Sequence, residues 1–209
     1  MHAATIAAAA AFAFVAATHG DMVAIESNGS ASTSSLGAFT GMLDWNYSSG
    51  TSGVLTVSLT NTTPAANGGW LTAFLFNIDS IDPLATAVLA SSTDPDFLNI
   101  TGGGLNGAPF GNPFDAGAGL GGDFLGNGNP SAGLAIGATG TFVFNVTASD
   151  ASLLSATSFL NGPYDENFIV RFRGFANGGS DKVPAQLVPG PATLALFAVG
   201  FGRRRRRRA

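Results

Sequence analysis

The chain has 209 residues, no cysteine, two histidines and a formal charge of −4, and only 11% of its residues are charged. Without cysteine there is no disulfide framework and no thiolate site, and an acidic chain has the wrong sign for a phosphate backbone, so nucleic acid is not an expected partner. The length suits one domain with its own core. Residues 1–20 read as a secretory signal peptide. Ala3 to Ala17 is an unbroken run of Ala, Ile, Phe and Val with one Thr, and the small residues that close it fit cleavage after Gly20 or after Ala17. The export machinery is therefore an expected partner. Cleavage would remove both His2 and His19. Ser-His-Asp and Cys-His catalysis, and most zinc sites, then have no residues to be built from. Two-carboxylate glycoside hydrolysis would have Glu26 and Glu166 as its only glutamates, both flanking strands, so the expectation is a protein that is not an enzyme.

From Asp21 onward the pattern is β. Met22 to Glu26 reads as a short strand, residues 27–35 as a polar loop, Ala38 to Tyr47 as a second strand and Ser48 to Ser52 as a turn. Gly53 to Thr60 alternates cleanly, with Leu55, Val57 and Leu59 on one face and Val54, Thr56 and Ser58 on the other. Trp70 to Ile78 is apolar on both faces, as a strand covered on both sides should be, with Trp70, Phe74, Phe76 and Ile78 expected on one side and Leu71, Ala73 and Leu75 on the other. Gly140 to Thr147 turns Phe142, Phe144 and Val146 inward, and Phe168 to Phe175 does the same with Phe168, Val170 and Phe172, leaving Arg171 and Arg173 outside. One short helix is expected over Ala151 to Ala156, capped by Ser149 and opened by Asp150. The fold class that follows is all-β: a two-sheet antiparallel β-sandwich, jelly-roll-like, over residues 21–176.

Between Thr101 and Gly133 the pattern dissolves into Gly, Asn, Pro and Ala, which predicts a long loop lying against the sandwich as a cover. Within it Gly117 to Gly122 matches the spacing of a dinucleotide fingerprint, without the strand and helix that would make it one. Aspartates pair up in loops: Asp79 with Asp82, Asp94 with Asp96, and Asp115 with Asp123. No cofactor is expected. If Ca²⁺ is bound, Asp94 and Asp96 are the first choice, because turn carboxylates with Asn and backbone carbonyls supply the oxygens it takes. With 17 Phe against two Trp and two Tyr, the aromatics look like core filler. Trp45, Tyr47 and Trp70 are the residues that could form a carbohydrate-binding platform.

Residues 177–187 are polar and turn-rich and read as a flexible linker. After them come Val188, Pro189, Gly190 and Pro191, then the apolar run Ala192 to Gly202, then Arg203, Arg204, Arg205, Arg206, Arg207 and Arg208. Six of the nine basic residues lie in this cluster, which leaves Arg171, Arg173 and Lys182 against all 13 acidic residues of the chain. Arg costs roughly 2.5–3.5 kcal/mol each at the bilayer centre, so the cluster should stop transfer on the cytoplasmic side. Eleven apolar residues make about 16 Å of helix against a hydrocarbon core of about 30 Å, which suits a transient anchor better than a permanent one.

Pro-x-Pro, a short apolar helix and a terminal arginine cluster over residues 188–209 resemble the PEP-CTERM sorting signal of bacteria, with Gly190 where that family has Glu. The resemblance implies recognition by an exosortase-like membrane transpeptidase, removal of the tail, transient membrane anchoring through the C-terminal helix, and release to the cell surface or extracellular matrix. It also implies an association with extracellular polysaccharide or biofilm. The expected alternatives are a carbohydrate-binding module and a Ca-stabilised adhesin.

Overall fold

The computed structural model describes residues 20–110, 113–125 and 128–188. The expected signal peptide up to His19 lies outside the described residues. So do Pro189, Gly190, Pro191, the apolar run and Arg203 to Arg208. Among the described residues, no helix is long and apolar enough to cross a membrane.

The chain is all-β. Its strands are β1 (Gly20–Ser27), β2 (Phe39–Ser49), β3 (Ser52–Asn61), β4 (Gly68–Phe76), β5 (Thr86–Ser92), β6 (Phe97–Asn106), β7 (Pro113–Leu120), β8 (Thr139–Thr147), β9 (Phe168–Phe175) and β10 (Ser180–Leu187). They form one antiparallel ladder in the order β5-β8-β3-β2-β1-β10-β9-β4-β7-β6. The ladder folds over on itself into two facing layers, and its free edges, β5 and β6, meet. There the Asn99 side-chain oxygen of β6 accepts the Leu89 N–H of β5 at 2.7 Å, so the exposed edge of β5 is partly satisfied across the seam.

Alternation sets which side chains enter the space between the layers. Leu55, Val57 and Leu59 of β3 are buried while Val54, Thr56 and Ser58 are partly exposed, and Phe142, Phe144 and Val146 of β8 are buried. From the opposite layer come Phe74, Phe76, Phe168, Val170 and Phe172. The rings interlock: Phe74 lies 4.9 Å from Phe142 and 5.8 Å from Phe168, and Phe76 lies 5.1 Å from Phe144, between centroids. The Phe74–Phe142 and Phe76–Phe144 pairs meet edge to face and Phe74–Phe168 is stacked, arrangements that add to the burial of area alone.

Strand β4 departs from its expected facing. Leu71 joins the main core with Phe74 and Phe76, whereas Trp70 is only partly buried. The cause is a bulge: Leu71 pairs with Phe172 and Ala73 with Arg171, so the register slips one residue around Thr72. An extra residue in a strand inverts every side chain on one side of it. Beyond the bulge Ala73 and Leu75 face outward into a second cluster with Ile100, Phe114, Phe124 and Ile169.

The segment 177–187, expected to be a flexible linker, instead holds β10. Ser180 to Pro184 pair with β9 and Ala185 to Leu187 pair with β1, so this strand joins the two layers. Pro184 stands where one ladder hands over to the other, the place in a sheet where a missing N–H costs least. The polarity that suggested a linker has a structural use. Asp181 is 0% exposed, and its carboxylate accepts hydrogen bonds from the hydroxyls of Ser32 and Thr33 and the backbone N–H groups of Ser34, Leu36 and Gly37, at 2.8–2.9 Å.

The expected loop over residues 101–133 is in part sheet, since β6 and β7 form a hairpin there. Glycine and alanine hide the strand pattern of β7 because little room is left for side chains. A Cβ on Gly117 would lie 2.1 Å from the Phe74 carbonyl oxygen. Residues 121–125, with Phe124 buried, do lie against the sandwich as a cover. The expected helix is replaced by two 3-10 turns, Ala151–Leu153 and Ala156–Phe159, with Leu154 extended between them. The Asp150 side chain is drawn away to Ser80 and the Ile81 N–H, so neither it nor Ser149 caps a helix. Runs of three or four residues are too short to propagate as α-helix.

Candidate functional site

All three cations outside the terminal cluster lie on one patch of the outer face formed by β9 and β10. Arg171 and Lys182 are directly paired across the two strands, and Arg173 follows Arg171 on the same face. On the other side of β9, Trp70 is the partner of Arg173. The bulge at Thr72 puts Trp70 on this outer face, where its ring packs over Gly174. Gly174 has φ +73°, and a Cβ there would approach the indole to 2.9 Å and Pro130 to 3.1 Å. The result is a partly exposed indole paired with Arg173, with Arg171 and Lys182 continuing the same outer face across β9 and β10.

The lower cation, Arg171, is 9% exposed. One guanidinium N–H donates to the Phe124 carbonyl at 2.6 Å, while Nε is buried without a partner. Burial lowers its pKa, the Arg173 charge lowers it further, and Asp123 offsets part of this. Lys182 is pushed down by burial and by Arg171, with Asp181 opposing. Arg173 donates to the Gly128 carbonyl at 3.3 Å. Mutual repulsion within the patch would be relieved by an anion, and an indole with Arg and Lys beside it suits a ring that carries a carboxylate.

A second feature lies at the end of the sandwich where β4 and β10 finish and β1, β7 and β9 begin. A cleft of about 230 Å³ is lined there by Asn77, Asp79, Asp82, Pro113, Asp115 and Tyr164. It adjoins a hollow of about 360 Å³ between Phe110, Tyr164, Asp165 and Glu166. Burial, then the neighbouring Asp165, raises the pKa of Glu166. Asp82 is held below the ordinary range by the N–H groups of Leu84 and Ser149.

The residues singled out in the sequence are scattered. Trp45 is 1% exposed and packs against Phe159 in the core, and Tyr47 is partly buried against the same core, so neither belongs to a platform. Trp70 alone of the three reaches a surface that could stack a sugar. Asp94 accepts the Asp96 N–H at 3.1 Å and so organises the turn between β5 and β6, where the sequence had suggested Ca²⁺ ligands. Glu26 accepts from Gln186 in β10, while Glu166 lines the end hollow. The Gly117 to Gly122 motif spans the end of β7 and the turn after it, where Gly117 and Gly119 are paired with β4 and β6 and form no phosphate loop. Among the described residues no three His, Cys, Asp or Glu side chains are placed to hold one metal ion. The cation patch was missed because pairing Arg171 with Lys182 requires β10 to be a strand.

No protein-family model matches the chain, and no curated protein matches it. Among solved structures it is similar to a biomass-sensing module of Rsgi-like proteins of Clostridium thermocellum, described as resembling the family 3 carbohydrate-binding module of the cellulosome. The TM-score is 0.34 and the identity 12%, over 73% of this chain and 92% of that chain.

Proposed function

We propose that this is an exported, non-enzymatic protein of the cell surface or extracellular matrix, and that its sandwich binds acidic polysaccharide through the Trp70, Arg173 and Lys182 face. The observation that carries the reading is the placement of every cation of the body on one outer face that also holds the partly exposed indole, on a chain that is otherwise acidic. Asp123 and Asp181 offset part of the charge of Arg171 and Lys182 at close range, but burial and like-charge repulsion outweigh them, and more distant carboxylates do not defeat the reading. At physiological ionic strength charges more than about 8 Å apart are largely screened, so the local patch governs contact with a polyanion. The sorting tail has a place in this reading. β10 ends at Leu187, and the Val188 N–H donates to the Ala24 carbonyl at 3.0 Å. The Pro189-Gly190-Pro191 motif thus follows a paired strand directly.

Native electrophoresis in gels containing a soluble polyuronate or a neutral β-glucan tests the binding. The wild-type band should be retarded by the polyuronate alone, less so as salt is raised, and Trp70→Ala or Arg173→Gln with Lys182→Gln should restore its mobility. Equal retardation in both gels, or none, would defeat the reading. For the sorting signal, the intact mass of the secreted protein should report two cuts, one near Gly20 and one near Pro191. Recovery of the uncut chain from the cytoplasm would sink that part.

A further inference from the structure

Two buried amide oxygens at the end cleft have no hydrogen-bond partner. Asn77 follows β4 and Asn167 precedes β9, one step beyond the Phe76–Phe168 pair, and the Asn77 N–H donates to the Asn167 carbonyl at 2.9 Å. The two side chains are 4% and 6% exposed. Each amide has a fixed orientation: Asn77 Nδ2 donates to the Pro113 carbonyl at 2.9 Å and Asn167 Nδ2 to the Tyr164 carbonyl at 2.6 Å. Turning either amide over would set oxygen against oxygen. Both Oδ1 atoms therefore have settled positions, and both are buried without a hydrogen-bond partner. Buried side-chain oxygens in native proteins nearly always have a partner, so two adjacent exceptions call for an explanation.

The cleft beside them is rich in carboxylates. Asn77 lines the cleft together with Asp79 and Asp115. Asp115 uses one carboxylate oxygen to accept the Ile78 N–H at 2.8 Å. Asp82, at the same cleft, has both oxygens occupied by the N–H groups of Leu84 and Ser149. The cleft lining contains no Lys or Arg. Ser80 and Tyr164 bring hydroxyls to the cleft, but the Ser80 hydroxyl is spent on Asp150 and neither carries the charge that would balance the carboxylates. Amide and carboxylate oxygens in such a setting suit a hard divalent cation.

We infer that the cleft binds a divalent cation of the Ca²⁺ class, through Asn77 Oδ1 and the carboxylates of Asp79 and Asp115, with Asn167 buttressing Asn77 from behind. The remaining ligands would be backbone carbonyls and water. A set with no more than two carboxylates belongs to the weak, extracellular class of Ca²⁺ sites, with Kd on the order of 10⁻⁴–10⁻³ M. That range suits an exported protein exposed to external calcium. The inference is independent of the polysaccharide reading, which concerns another face and needs no metal.

Tyr164 lines the cleft and provides a built-in reporter, since a phenol beside Tb³⁺ sensitises its emission. Titrating the full chain with Tb³⁺ should give saturable emission on tyrosine excitation, reversed by millimolar Ca²⁺, and Ca²⁺ should raise the melting temperature relative to EDTA. Asp79→Asn, at an exposed position, should fold normally and weaken Tb³⁺ binding about tenfold or more. Tyr164→Phe should lose the emission and keep the Ca²⁺-dependent melting shift. The inference is overturned if neither signal is seen with wild type, which would leave water as the partner of the Asn oxygens. It is equally overturned if Asp79→Asn leaves binding unchanged or if Tyr164→Phe keeps the emission, either of which would move the ion elsewhere, such as to Asp94 and Asp96.

Discussion

Replacing Asp181 by Asn tests whether residues 177–187 belong to the folded domain. The carboxylate is fully buried and receives two groups of donors. One oxygen takes the hydroxyls of Ser32 and Thr33 and the Ser34 N–H, and the other takes Ser32 and the N–H groups of Leu36 and Gly37. Asn keeps the shape but turns one acceptor into a donor. A hydroxyl can rotate away, but a backbone N–H cannot, so at least one backbone donor loses its carboxylate acceptor, Ser34 falling back on the long 3.4 Å bond to the Ser32 hydroxyl, and the remaining bonds lose their charge assistance. An unsatisfied buried group costs about 1–3 kcal/mol and hydrogen bonds to charged groups are worth about 1.5–3, so a loss of about 2–4 kcal/mol is expected. For a domain of this size that is a fall in melting temperature of roughly 5–15 °C.

The pH dependence gives an independent check on the same residue. Burial alone would raise the pKa of Asp181, but hydrogen bonds from Gly37, Ser32, Leu36 and Thr33 outweigh it and the pKa is lowered. A carboxyl that is more acidic in the native than in the unfolded chain stabilises above its unfolded value of about 3.9 and ceases to do so as pH falls through the native value. The gap between wild type and Asp181→Asn in urea unfolding, followed by tryptophan fluorescence, should therefore be constant from pH 7 to about 5 and narrow below about 4. A variant within about 0.5 kcal/mol of wild type at pH 7 would behave like a surface substitution and refute the reasoning.

Other substitutions probe the rest of the frame. Gly117→Ala places a methyl 2.1 Å from the Phe74 carbonyl oxygen, which belongs to the backbone of a central strand and cannot swing aside. Its loss in urea unfolding should reach or exceed the usual overpacking range of about 1–3 kcal/mol. Gly29→Ala, with nothing within 4 Å of the added carbon, should stay within about 0.5 kcal/mol. Phe74→Ala removes the ring that touches Phe76, Phe142, Phe144 and Phe168, and should cost about 3–5 kcal/mol by the same assay. A chain ended after Ala176 lacks β10 and leaves β1 and β9 unpaired on that side, so cooperative unfolding should vanish. A chain ended after Val188 should retain it.

Strands whose two faces differ in polarity could be read directly. β3 and β8 each have a dry and a wet face, and the buried set of each follows from counting by twos. Where the outer face is itself covered, the code fails. β7 reads as a Gly/Ala loop because its neighbours come too close for side chains, and Arg171 reads as exposed although the 121–125 segment covers it. β10 is hidden for another reason. Its Ser-Asp-Lys polarity is satisfied by the loop at residues 32–37, about 150 positions earlier in the chain, and no local pattern carries that information. The bulge at Thr72 is equally silent in the sequence, yet it turns Trp70 outward. The candidate binding face depends on β10 and on that bulge, which is why Trp70 could be named as a stacking residue while its cationic neighbours could not.

The most direct test of the binding claim is to locate the ligand by backbone amide chemical shifts during titration with a short oligouronate. The account predicts that the perturbed amides cluster at Trp70, Arg171, Arg173 and Lys182 on β4, β9 and β10, while those of Asn77 and Tyr164 at the end cleft stay in place. Shifts confined to the end cleft, or none at saturating ligand, would contradict it.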